Sequence, residues 1–195
     1  MTTKKYNIAM VTDYFFPNIG GIESHIITLS EELYLLGNNI IVVTHKYNGY
    51  LGCQKIGNLI VYYLDLPIIA SNTTFPTLFS SFIIYKEIFE KHKIDIVHGH
   101  QTMSTMCIEV LFHAKFLGYK TVLTDHSVFE FSKFERIICN SILHLISKNV
   151  NKAICVSKTA MINTQQRTAI NKSDFQVITN GINPSMFYPI KKESN

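Results

Sequence analysis

No stretch of this 195-residue chain approaches the roughly 20 consecutive apolar residues of a membrane-spanning helix. Its first ten residues (MTTKKYNIAM) also lack the apolar core of a secretory signal, so the expected setting is cytosolic or cytosol-facing. There are only four cysteines, Cys53, Cys107, Cys139 and Cys155, widely spaced and without a Cys-x-x-Cys pair. That spacing argues against a disulfide framework and against thiolate zinc, and leaves them as small apolar residues. Tryptophan is absent, which together with abundant Ile, Asn and Lys points to AT-rich coding and carries no functional weight. Charged residues make up just 16%, and the net charge of +4 comes from scattered lysines. Scatter of that kind speaks against nucleic acid and is compatible with an anionic membrane surface. Finally, no Gly-x-Gly-x-x-Gly follows the first apolar run, and the second run ends in Thr44-His45 instead of an acid, which argues against a nicotinamide dinucleotide site.

What is present is mostly apolar: 47% hydrophobic residues in a length suited to one good-sized domain. The strongest local signal runs from Ile8 to His25, where an apolar strand passes through Pro17 into Gly20-Gly21 and then into an amphipathic helix. Helix N-termini carry unpaired N–H groups and positive partial charge, and glycine admits a ligand close to the backbone, so this is a candidate phosphate site. The plainer alternative is that the two glycines only supply positive φ for a tight turn. In the helix, Ile22, Ile26, Leu29, Leu33 and Leu36 recur at three- and four-residue steps, Glu23 lies in the first turn, and Gly37 stands at the left-handed C-terminal cap.

The alternation continues. Strands are expected at 38–44, 59–64, 94–98, 120–124, 153–156 and 175–178, with helices at 77–92, 104–117, 129–147 and 157–168 and a polar loop over 46–57. Apolar strands alternating with crossover helices imply an α/β fold, a single doubly wound, Rossmann-like parallel sheet covered on both faces. Ligands in such sheets bind at the carboxyl ends of the strands. Those ends read Thr12-Asp13, Thr44-His45, His98-Gly99-His100, Thr124-Asp125-His126, Val156-Ser157 and Asn180-Gly181, so polar and imidazole groups collect on one rim.

His98 and His100 are two apart on a strand and could face the same way as a metal pair, although no third ligand is evident; otherwise one packs under a loop and the other faces the cleft. His126 is placed to meet a bound sugar or phosphate, or else fills a loop while Asp125 and Ser127 cap the next helix. His25 and His113, inside helices, read as packing or solvent-edge residues.

In order along nearly the whole chain, the segments MVTDYFFPNIGGIESHI, VVTHKY, VYYLDLP, DIVHGHQTMS, LFHAKFLGYKTVLTDHSVF, AICVSKT and VITNGINPSMFYP resemble the N-terminal domain of retaining family-four GT-B glycosyltransferases. Among these the likeness is to the PIG-A type of phosphatidylinositol N-acetylglucosaminyltransferase. The resemblance implies transfer of GlcNAc from UDP-GlcNAc to phosphatidylinositol, the first step of glycosylphosphatidylinositol synthesis, at the cytosolic face of the endoplasmic reticulum membrane and alongside other subunits. It implies that Gly20 and Gly21 approach the donor diphosphate, that His126 contacts the donor sugar near the reacting centre, and that Asp13, His98, His100 and Ser127 border the acceptor cleft. It further implies that no metal or other cofactor serves the transfer and that no protein nucleophile is needed, the departing phosphate taking the acceptor's proton. On this reading residues 1–183 are the acceptor-side domain and 184–195 begin the hinge region. Thr179 and Asn183 stand where Pro and Asp are common in the family. A nucleotide-binding second domain is needed for activity, so the chain alone is expected to be inactive. Rival readings are a family-four transferase with another acceptor, and a non-catalytic subunit that binds lipid or a partner.

Overall fold

The computed structural model describes residues 4–70, 73–77, 80–126, 140–141, 143–148 and 150–181. The chain runs β1 (Asn7–Val11), α1 (Gly21–Leu35), β2 (Asn39–His45), β3 (Gly52–Ile56), β4 (Leu59–Leu64), a small hairpin of β5 (Ile68–Ala70) and β6 (Thr73–Thr74), α2 (Ser80–Lys91), β7 (Ile96–His100), α3 (Thr105–Phe116), β8 (Lys120–Asp125), β9 (Lys152–Cys155), α4 (Lys158–Arg167) and β10 (Phe175–Val177). Residues 140–141 and 143–147, within the span expected as a helix over 129–147, are helical.

The main sheet has eight strands in the order β10-β9-β8-β7-β1-β2-β4-β3. All pairings are parallel except that of β3 with β4. The stretch expected as a loop over 46–57 therefore contains an edge strand. Its polar, largely exposed sequence GCQKI hides it, because an edge strand needs to bury little. The β5–β6 hairpin also departs from the sequence expectation; it is too short to show a period.

Two apolar layers sandwich the sheet, as continuous apolar strands require. On one face α1 packs through Ile26 onto Ile8, Met10, Ile40, Val42 and Val61. On the other, α2 and α3 place Tyr85, Phe89, Met106, Cys107, Val110 and Leu111 against Ala9, Val11, Ile41, Val97 and Leu123. A Cβ on Gly99 would lie 2.5 Å from Cys107 Sγ and 3.0 Å from Leu111 Cδ1, so the glycine lets α3 lie directly on β7. With Gly99 turned to α3, strand alternation sends His98 and His100 together to the α1 face.

The order of the strands also locates the site. β1 leads to β2 on one side, whereas its other neighbour is β7, reached only after the chain has crossed over. The reversal between β1 and β7 is the topological switch point, where the loops leaving adjacent strands diverge and open a crevice.

Candidate functional site

Three elements meet at this crevice: the loop from β1 into α1, the end of β7, and the residue following β8. The β1–α1 loop is held from below. Asp13 is fully buried. Its Oδ2 accepts hydrogen bonds from the Ser104 hydroxyl (2.8 Å) and the Met106 N–H (3.2 Å), and its Oδ1 accepts from the Thr74 N–H at 3.0 Å. Ser104 is in turn the N-cap of α3, accepting from the Cys107 N–H, and it accepts from the Asp13 N–H as well. Asp13 thus ties β1, β6 and α3 together. Expected as a cleft residue, it is a positioning residue with its acceptors engaged inside the fold.

From the other side two tyrosines hold the same loop. The Tyr47 hydroxyl donates to the Asp13 carbonyl at 2.5 Å and accepts from the Phe15 N–H at 3.2 Å, while the Tyr63 hydroxyl donates to the Phe16 carbonyl at 3.0 Å. Burial pushes the Tyr47 phenol up to about 12 and raises that of Tyr63, so both remain neutral hydrogen-bonding groups. Sequence reasoning misses these tyrosines; on β4 and just beyond β2 they read as core.

The glycines lie where α1 begins. Gly20 is the N-cap with φ −163°, ordinary extended backbone, and Gly21 is the first helical residue; neither has positive φ. The tight-turn explanation for this pair therefore fails. A Cβ on Gly21 would meet nothing within 4 Å, and one on Gly20 would meet only the flexible Glu23 carboxylate. The N-cap offers no side chain to the helix N-terminus. What the glycines provide is open approach to the first amides of α1, the arrangement that suits an anion.

Above this stand the histidines. His98 and His100 stack with ring centroids 4.2 Å apart. His98 is buried and shares a 2.7 Å hydrogen bond between its Nε2 and the Thr124 hydroxyl. His100 is fully buried, with Nε2 3.4 Å from Met10 Sδ and Nδ1 3.3 Å from His126 Nε2. Neither His98 nor His100 lies open to the cleft, because both are covered on the α1 face. His126, half-buried at the end of β8, is the nearer to solvent, with its backbone N–H donating to Gln101 Oε1 at 3.4 Å. His25, read from sequence as a packing or solvent-edge residue, instead lies one turn into α1 with its ring centroid 4.7 Å from that of His126 and 5.9 Å from that of His100. The helical period hides it, since the position is polar by spacing yet faces the strand ends. His113 fits its packing reading: it is buried on α3 beside Phe82 and Tyr85. Ser127 lies outside the described residues.

Burial and mutual proximity lower the pKa values of all four rings at the rim. His98 falls to about 3 and His126 to about 4, mainly by desolvation and then by neighbouring imidazoles, and His100 falls well below its ordinary value for the same reasons. Desolvation lowers His25 as well, with a side-chain hydrogen bond to Asn180 acting the other way. At neutral pH the rim presents neutral imidazoles with lone pairs, beside a helix N-terminus that favours anions.

Residues 45–133 match the family model PIGA, described as GPI anchor biosynthesis. A phosphatidylinositol N-acetylglucosaminyltransferase subunit of Arabidopsis thaliana is 40% identical over 186 residues, covering 95% of this chain and 42% of the relative. Its human counterpart is 40% identical over 188 residues, with 96% and 39% covered. The gpi3 subunit of the same transferase in Schizosaccharomyces pombe is 42% identical over 181 residues, with 92% and 40% covered. The chain spans about two-fifths of the length of these curated relatives. Among solved structures, sucrose-phosphate synthase from Thermosynechococcus elongatus matches with a TM-score of 0.70 at 15% identity, over 95% of this chain and 51% of that one. Anabaena Alr3699/HepE in complex with UDP and glucose matches with a TM-score of 0.64 at 11% identity, over 95% and 47%. By sequence over nearly all of its length, and by fold, this chain is a relative of the PIGA and gpi3 subunits of phosphatidylinositol N-acetylglucosaminyltransferase and has the architecture of one half of a GT-B glycosyltransferase.

Proposed function

We propose that this chain forms the acceptor-side half of a retaining transferase that moves GlcNAc from UDP-GlcNAc to the inositol of phosphatidylinositol, at the cytosolic face of the endoplasmic reticulum membrane and together with other subunits. The observation that carries the reading is the 40% identity to the Arabidopsis transferase subunit over 95% of the chain. The meeting of the open α1 N-terminus and His126 at the switch point supports it. The Gly20-Gly21 loop receives the donor diphosphate, whose charge the α1 amides stabilise as it leaves. His126, neutral at working pH, orients the donor sugar by hydrogen bonding. In the retaining course the acceptor hydroxyl approaches from the leaving-group face and its proton passes to the departing phosphate, so no side chain has to act as nucleophile. The reading gives the nucleotide-binding half to sequence beyond this chain or to a companion polypeptide, and membrane attachment likewise, since no helix among the described residues is long and apolar enough to cross a membrane.

The test is a chimera in which this chain replaces the matching segment of the yeast GPI3 subunit, which is 38% identical to it. Membranes carrying the chimera are given labelled UDP-GlcNAc. Label recovered in phosphatidylinositol supports the reading; a stably expressed chimera that labels a different acceptor, or none, contradicts it.

A further inference from the structure

The histidines converge more closely than a sugar contact requires. One ring nitrogen from each of His25, His100 and His126 lies within 4.8 Å of those of the other two. We propose that these three residues form a binding site for a d-block divalent cation, with zinc the best match, held by three neutral imidazoles with a fourth position open toward the crevice.

Four observations carry this. First, a tetrahedral ion with metal–nitrogen bonds of about 2.0–2.1 Å separates its ligand nitrogens by about 3.3 Å. His100 Nδ1 and His126 Nε2 stand 3.3 Å apart, already the edge of such a tetrahedron. Second, the tautomer of His100 is set for ligation. Met10 Sδ can only accept, so the 3.4 Å contact takes Nε2–H and leaves the Nδ1 lone pair facing the cluster. Third, the ligands come from three elements with outer support. His98 stacks on His100 and is anchored by Thr124, and His25 is tied to the Asn180 side chain. His25 is half-buried at the start of a helix and is the ligand that has to close in. Fourth, the donor set is all imidazole, which suits zinc, copper and nickel and disfavours magnesium and calcium.

The proposal is independent of the transferase reading. If both hold, an ion would engage the same His126 ring that the sugar contact uses, so metal and donor sugar would exclude one another.

The experiment titrates the purified, chelator-stripped chain with Co²⁺, followed by zinc competition and metal analysis after gel filtration. The expected result is one ion per chain, the intense visible bands of tetrahedral cobalt, and their loss on adding zinc. His25→Ala and His126→Ala, both at half-buried positions that spare the packing around His100, should each weaken binding by about a hundredfold or more, given that losing even a hydrogen-bond partner of a ligand costs roughly 10–100-fold. His92→Ala, at a ring that hydrogen-bonds Tyr62 elsewhere on the molecule, should leave binding unchanged. Circular dichroism checks that each variant is folded. Absence of the tetrahedral bands, or full retention of the ion by folded His25→Ala and His126→Ala, would overturn the proposal.

Discussion

Two sets of buried polar groups sit side by side at the rim of the sheet and are satisfied to very different degrees. The aspartates ending β1 and β8 are saturated. Asp13 accepts from Ser104, Met106 and Thr74, and Asp125 accepts from the Thr102 hydroxyl at 2.9 Å and the Thr164 hydroxyl at 2.6 Å. The histidines beside them are held by one good hydrogen bond, that of His98 to Thr124, a sulfur contact and a long nitrogen–nitrogen contact. Buried polar groups normally find full partners. A saturated cluster fixes the backbone, whereas an under-partnered one keeps donors and lone pairs available for a ligand. The aspartates build the crevice and the imidazoles work in it.

The largest effect should follow from breaking the saturated cluster. Asp13→Ala strands the Ser104 hydroxyl and two buried amides, each of which bonds a charged acceptor, and should cost about 3 kcal/mol or more in urea unfolding. A loss below about 1 kcal/mol would show that the knot does not hold the loop.

Next comes Gly99→Ala, which forces a methyl to within 2.5 Å of Cys107 Sγ and should cost about 1–3 kcal/mol by overpacking β7 against α3. Unchanged stability would mean that α3 can shift away without penalty.

The pH dependence isolates the histidines. In metal-free buffer the folded pKa values of His98 and His126, about 3 and about 4, lie below the unfolded value near 6.5. The unfolded chain therefore binds more protons across that window, and stability, full above about pH 6.5, falls as the pH drops toward 4. Each group should contribute a slope on the order of 1 kcal/mol per pH unit. A flat profile between about pH 7 and pH 5 would contradict the burial assigned to these rings.

The smallest effect on folding, and the most diagnostic, is Gly21→Ala. Nothing lies within 4 Å of the added methyl and the residue is helical, so stability should be unchanged or rise by up to about 1 kcal/mol. In the chimeric enzyme the same change should weaken donor use by about tenfold, through lost approach to the α1 amides, read as kcat/KM for UDP-GlcNAc. Equal activity with and without the methyl would return the glycines to a purely structural role.

Much of this is legible in the sequence. Uninterrupted apolar strands such as IIVV and LIVYYL can belong only to a sheet covered on both faces, and the crossover spacing makes it parallel. The rim follows from the strand ends. Burial direction is not legible. Asp13 carries the same signal whether it faces a cleft or a knot, because its partners Ser104, Met106 and Thr74 are 61 to 93 residues away. His25 misleads for a related reason: helical period tells which residues face the sheet, but not that the first turn of α1 overhangs the ends of β7 and β8. β3 escapes notice because an exposed edge strand has no apolar pattern to read.

The most direct test of the contrast between the two clusters is to measure His126→Ala in the chimeric enzyme for both unfolding midpoint and GlcNAc transfer to phosphatidylinositol. The account predicts a stability change below about 1 kcal/mol, as befits a half-buried ring with weak partners, together with a fall in kcat of about a hundredfold or more. Transfer that declines only in proportion to the loss of folded enzyme would contradict it.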